Sequence, residues 1–280
     1  MKHSALIISL IILYVASPVI GVEKKADIRL KIPELNAIGR VDALIPGKGI
    51  SHGTGVLINE CMVLTNRHVV EGGKTKRSEV WEAWDNRMPG DPMPTVPEYP
   101  DFVDLIGKSV KFRVGYTGDA NKPFANEVDG IVIGYGAQGY PSYAHYDDWA
   151  LISISKSTSK KLIDARVRPI RLIFPNVDQV KQYFNDVEIA GFPANQPEET
   201  ITYHSHCKYE GGGGGVFNFK CIIIHGESGS PILGRYPDKS IRIISLAKSS
   251  IDDNFTVGIN LSYIINKLKP LIETNINNLN

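Results

Sequence analysis

Short apolar runs rich in β-branched residues, each cut off by Gly, Pro, Asn or Asp, constrain this chain more than any other feature. The first half carries Gly55-Val56-Leu57-Ile58, Met62-Val63-Leu64, Ser109 to Val114, Gly130 to Ile133 and Trp149 to Ile154. Runs of this length and composition suit half-buried strands of a barrel or sandwich and are too short for helices. After a Lys/Ser-rich stretch near Lys156 to Lys161, which reads as a linker, a second set follows. It comprises Ile170 to Ile173, Val187 to Ala190, Ile222 to Ile224, Ile241 to Ile244 and Thr256 to Ile259. Two strand sets predict two barrels in an all-β chain.

Three segments depart from this pattern. Met1 to Gly21 places Lys2 and His3 before an apolar run, Ala5 to Ala16, that is short for a bilayer span; it reads as a secretory signal peptide, cleaved after Gly21 or after Ala16. Glu71 to Asp101 is rich in charge and proline and reads as a long surface loop. From Leu261 to Ile272, apolar residues at Ile264, Ile265, Leu268, Leu271 and Ile272 keep helical spacing. That face is expected to pack on the second barrel, with Pro270 kinking or ending the helix.

Removing the leader leaves about 260 residues, enough for two small barrels sharing a cleft but not for a further recognition domain. The formal charge of the whole chain is +1, and loss of Lys2 leaves it neutral. A neutral chain offers no electrostatic case for binding nucleic acid or an anionic membrane.

Three cysteines in an exported chain imply one disulfide and one leftover thiol. Cys207 and Cys221 flank the run Gly211 to Gly215, a turn able to fold its neighbours into a hairpin and bring the sulfurs together. Cys61 then remains as a small buried hydrophobe.

Three motifs carry chemistry. Leu64-Thr65-Asn66-Arg67-His68-Val69-Val70 comes first, Asp147-Asp148-Trp149-Ala150-Leu151 second, and Gly226-Glu227-Ser228-Gly229-Ser230-Pro231 third. The order His, Asp, Ser differs from the orders found in α/β-hydrolases and subtilisins. With Gly53 to Ile58 and Gly191-Phe192-Pro193, these segments resemble trypsin-like serine peptidases of the bacterial, glutamyl-endopeptidase-like branch. The resemblance spans most of the mature chain. It implies two six-stranded antiparallel β-barrels packed around a cleft, with a C-terminal helix. The expected division is a signal peptide over 1–21, an N-terminal barrel over 22–158 carrying His68 and Asp148, and a C-terminal barrel with the helix over 159–280 carrying Ser228.

A serine hydroxyl is a poor nucleophile until a base takes its proton, and a neutral imidazole suits that task near neutral pH. A carboxylate on the other ring nitrogen fixes the tautomer and stabilises the imidazolium. Ser228, His68 and Asp148 are therefore the expected nucleophile, base and orienting acid. Asp148 directly precedes the alternating strand, whereas Asp147 is one residue out of register, expected to point the other way as a solvated loop carboxylate. The resemblance implies an oxyanion hole from the N–H groups of Gly226 and Ser228. It also implies a substrate pocket enclosed by Ile223, Ala247, Lys248 and Ser249, with Ile222 and Thr256 to Gly258 nearby. No acidic residue falls at the base of that pocket, which disfavours basic side chains and favours medium apolar ones; Lys248, if turned inward, would suit an acidic one.

The sequence departs from the family in three places. Glu227 stands where Asp is commoner, no Ile-Val-Gly-Gly activation site is visible, and the stretch Ile244 to Ser249 lacks the histidine of glutamyl endopeptidases. Activation by signal removal alone is expected. A rival constellation, His204, His206, Cys207, Cys221 and His225, has zinc-ligand side chains but not the usual spacing. In a regular strand His204 and His206 would share one face and Cys207 the other. The expectation is thus a secreted or periplasmic monomer acting on protein or peptide without metal or other cofactor. The alternative is an inactive, protease-like binding module.

Overall fold

The computed structural model describes residues 27–72, 104–116, 124–136, 147–194, 200–251 and 254–279. The expected leader and most of the expected loop over 71–101 lie outside the described residues. Strands β1 (Ile38–Ile45), β2 (Gly49–Asn59), β3 (Met62–Thr65), β4 (Ser109–Tyr116), β5 (Phe124–Tyr135) and β6 (Ala150–Ile154) close a barrel in the order β1-β2-β3-β6-β5-β4. Strands β7 (Asp186–Gly191), β8 (Thr202–Gly213), β9 (Val216–Lys220), β10 (Pro231–Arg235), β11 (Ile241–Ile251) and β12 (Phe255–Asn260) close a second, in the order β10-β11-β12-β9-β8-β7. Every pairing is antiparallel.

Period-two burial explains the closure. Along β4, Val110, Phe112 and Val114 turn inward between more exposed neighbours, and Val128 and Val132 do the same along β5. The second barrel encloses Val187, Ile189, Phe217, Phe219, Ile232 and Ile244.

Helix α1 (Arg67–Glu71) follows β3, α2 (Lys156–Asp164) follows β6, α3 (Val177–Tyr183) leads into β7, and α4 (Leu261–Leu279) ends the chain. The Lys/Ser stretch read as a linker is thus a helix. Ser155 caps it by accepting from the Thr158 N–H, and Leu162 anchors it in the core. The segment Ile222 to Ile224 forms no strand, because its backbone is satisfied by side chains: the Ile223 N–H donates to Ser250 Oγ at 3.1 Å and the Ile224 N–H to Glu227 Oε2 at 2.7 Å. Ile170 to Ile173 reduces to a single bridge between Leu172 and Ile243.

Helix α4 runs through Pro270 without ending there. The bond that proline cannot make would have gone to the carbonyl of Asn266, and both residues are exposed to water. Nor does the helix serve the second barrel alone. Leu261, Ile264 and Leu268 are buried in the larger core cluster, which includes the first barrel, and Leu271 lies so close to Gly134 of β5 that a Cβ there would meet its side chain at 2.4 Å.

Candidate active site

Asn66 is the N-cap of α1 and is fully buried. Its side-chain amide donates to the carbonyl of Asp148 at 2.8 Å, fixing the short turn before β6 against the start of the helix. Two residues on, the His68 N–H donates to Asp148 Oδ1 at 3.0 Å and the ring Nδ1 faces Oδ2 at 2.7 Å. The helix ends at Gly72, whose φ of 96° lets its N–H return to the carbonyl of His68 at 3.0 Å. The imidazole is therefore held at both its backbone and its ring.

Burial works to raise the pKa of the Asp148 carboxyl. The charge and hydrogen bond of His68, with help from Lys248, outweigh it and hold that group well below the usual carboxylate range. The carboxylate thus faces Nδ1 in its charged form, an acceptor that favours the tautomer with its proton on Nδ1.

Asp147 does not behave as a solvated loop residue. It is buried, accepts from Trp149 Nε1 at 2.9 Å, and pairs with Lys267 Nζ at 2.7 Å. Its side-chain partners are Trp149 and Lys267, whereas His68 is met by Asp148.

Ser228 sits in the loop between β9 and β10. Its carbonyl accepts from the Thr54 N–H on β2 at 2.8 Å, which ties the second barrel to the first. Gly53 marks where the two motifs meet: a Cβ there would lie 2.5 Å from Val69, next to His68, and 3.0 Å from the carbonyl of Ser228. The Ser228 hydroxyl donates to the carbonyl of Lys248 at 3.0 Å. Gly229, at φ 87°, leaves no room for a side chain, since a Cβ would meet the carbonyl of Thr54 at 2.1 Å.

The turn before Ser228 has a defined type. The Glu227 N–H donates to the carbonyl of Ile224 at 3.0 Å, Gly226 has φ 96°, and His225 is not among the residues of positive φ. A turn closed from first to fourth residue, with positive φ only at the third, is type II. The carbonyl of His225 accepts from the Ala194 N–H at 2.7 Å. In a trans peptide C=O and N–H point in opposite directions, so the Gly226 N–H is aimed away from Ala194. Reversing that peptide would break the bond to Ala194.

The residues expected around the substrate are not equivalent. Ala247 is fully buried, and its backbone N–H and carbonyl hold Ser230 and Gly229 at 2.8 and 2.9 Å. Ser249 is exposed and pairs with Val257 of β12. Between them the register shifts, leaving Lys248 as a bulge residue, a device that re-aims a side chain. Burial lowers the pKa of the Lys248 ammonium, while the charge of Asp148 pulls it back up. Ile223 is buried in the second barrel's core, and Ile222 is its exposed neighbour.

The rival zinc constellation is divided among separate partners. Cys207 and Cys221 form a disulfide, His204 faces Glu227 at 3.0 Å, and His206 faces Asp186 at 3.0 Å. The regular alternation expected of His204 and His206 fails because the pairing of β7 with β8 shifts register here, with His206 at φ 61°. The remaining thiol, Cys61, is buried as expected; burial, and then Glu60, raise its pKa.

Sequence reasoning overlooked Asn66, Thr54 and the role of Glu227. Asn66 and Glu227 each adjoin a motif residue or lie within a motif, but their partners are far away in the chain, and no local spacing announces them.

No protein-family model and no curated protein matches the chain. Solved structures do. A structure described as HL collagenase superposes with a TM-score of 0.53 at 13% identity, covering 84% of this chain and 93% of its own. A serine endoprotease from Yersinia pestis gives 0.50 at 14% identity, covering 85% of this chain and 63% of its own. At these identities the likeness concerns the fold.

Proposed function

We propose that this chain, which has the chymotrypsin-type fold of two closed six-stranded barrels, is a serine endopeptidase with Ser228 as nucleophile, His68 as base and Asp148 as orienting carboxylate. The observation that carries this reading is the 2.7 Å contact of His68 Nδ1 with an Asp148 held in its charged form. That pairing leaves Nε2 free of the ring proton, on a helix meeting the Ser228 loop across Gly53.

In the proposed cycle, rotation of the Ser228 hydroxyl away from the Lys248 carbonyl brings its proton to Nε2 as Oγ attacks the substrate carbonyl. The resulting oxyanion is received by the N–H groups of Gly226 and Ser228. The imidazolium, stabilised by Asp148, then gives its proton to the leaving amine, and water repeats the sequence on the acyl-enzyme. The bond from Ala194 to the His225 carbonyl supports a turn with its N–H turned outward rather than a collapsed one.

Apolar substrate side chains before the cut bond fit best. Lys248 is a partly buried bulge residue whose charge is attracted by Asp148, which counts against its serving an acidic substrate side chain. Within the fold, the Gly53 to Ile58 and Gly226 to Pro231 segments favour the glutamyl-endopeptidase-like branch, without its specificity. The leader-like Met1 to Gly21 and the Cys207–Cys221 disulfide support a secreted or periplasmic protein. Labelling with an active-site-directed fluorophosphonate tests the reading. Stoichiometric attachment to Ser228, lost in His68→Ala, is expected. An unreactive Ser228 would instead favour a protease-like binding module.

A further inference from the structure

Glu227 takes no part in the cycle above, yet its carboxylate is fully buried one residue before Ser228. Both oxygens are engaged. Oε2 accepts from the Ile224 N–H at 2.7 Å, while Oε1 accepts from the Thr202 hydroxyl and faces His204 Nε2 at 3.0 Å. The Glu227 backbone N–H closes the type II turn on the carbonyl of Ile224. One residue therefore brackets the turn from inside and, through Oε1, suspends it from β8 of the same barrel.

The turn needs such a support. Glycine at its third position tolerates either sign of φ, so apart from the bond from Ala194 the peptide between His225 and Gly226 has little reason to keep one orientation. A buried carboxylate that loses a donor is costly, because nothing replaces the solvation it gave up. Withdrawing the His204 donor would thus be relieved by movement of Glu227, and with it the Ile224 to Glu227 backbone that sets the Gly226 N–H.

We propose that His204, assisted by Thr202, is a positioning residue that clamps Glu227 and so holds the oxyanion-binding turn in its outward orientation. The proposal rests on the serine endopeptidase reading. It gives a role to a strand histidine whose register gives no hint of one.

Two variants of the full chain separate this role from simple packing. His204→Phe keeps a ring but removes the donor, and His204→Gln restores an N–H donor. With a peptide ester, His204→Phe is expected to lower kcat by about a hundredfold, the size of losing an oxyanion donor, with KM moved by less than about threefold. His204→Gln should recover kcat to within about tenfold of the parent. Amide hydrogen exchange at Ile224 and Glu227 should accelerate in His204→Phe and return toward the parent rate in His204→Gln. Unchanged kcat and exchange in His204→Phe would overturn the clamp, as would equal impairment of both variants. If the parent neither turns over the ester nor labels with fluorophosphonate, the peptidase reading fails, while the exchange comparison still decides for or against the clamp.

Discussion

Lys267 Nζ, on the C-terminal helix, meets Asp147 Oδ2 at 2.7 Å, one residue before the carboxylate that faces His68. In the proposed function two adjacent aspartates are thus divided between architecture and chemistry. Asp147 anchors α4 and Trp149, and Asp148 orients the imidazole. Lys267 is half exposed, so its pairing with Asp147 is screened and contributes about 1 kcal/mol or less. Asp147→Asn is therefore expected to lower the melting temperature slightly and leave kcat/KM near the parent value. Asp148→Asn, which presents an amide to Nδ1 and favours the wrong tautomer, should cost roughly four orders of magnitude in kcat. Steady-state kinetics on a peptide ester ranks the two, and the opposite ranking would reassign the orienting acid.

The members of a triad act as a unit, so their losses do not add. Ser228→Ala and His68→Ala should each remove nearly all turnover, and the double variant should be no more than a few-fold worse than either. Multiplicative losses in a double-mutant cycle would mean that Ser228 and His68 do not share one proton transfer.

Much of this arrangement is legible in the sequence because it is local. The three motifs announce themselves within a few residues, the Cys207 to Cys221 hairpin is marked by its glycine run, and the strand pattern gives the two barrels. What escapes is whatever depends on a distant partner. Lys267 stands 120 positions from Asp147, and Thr202 and His204 meet Glu227 only because β8 folds beside the Ser228 loop. Ile222 to Ile224 has the composition of a strand, but Ser250 and Glu227 claim its backbone donors, so side-chain chemistry overrides propensity. The helix α2 is hidden by its lysines and serines, and its N-cap, Ser155, is the one local signal that could have found it.

The Cys207–Cys221 disulfide joins β8 to the loop that leads into the Ser228 turn, closing a sequence separation of 14 residues. In the chain-entropy model a loop of this size contributes about 3 kcal/mol. Reduction, or Cys207→Ala with Cys221→Ala, should lower the denaturation midpoint accordingly and reduce fluorophosphonate labelling, because only Ile222 and Ile223 lie between the bridge and the turn. Cys61, buried and with its thiol pKa raised, should stay unmodified by thiol reagents in the native protein. Thiol counting by intact mass under native and denaturing conditions checks both points.

Lys248 yields a pH-dependent prediction whose sign follows from burial. Its folded pKa lies below the ordinary value because desolvation outweighs the attraction of Asp148. Between the folded and unfolded values the unfolded chain binds more protons, so this group makes stability rise with pH up to about 10.5. Below the folded value the ammonium is charged in both states, and its partial desolvation counts fully against the fold. Lys248→Met retains an unbranched stem, removes that charge and keeps the backbone carbonyl that accepts from Ser228. The variant should therefore be more stable than the parent at pH 7, with its advantage shrinking as pH approaches 10.5, and should still label at Ser228. Denaturant midpoints for both proteins between pH 6 and pH 10 test this. A variant less stable at pH 7 would mean that the attraction between Lys248 and Asp148 exceeds the cost of burying the ammonium, and that Lys248 supports the charge of the orienting carboxylate.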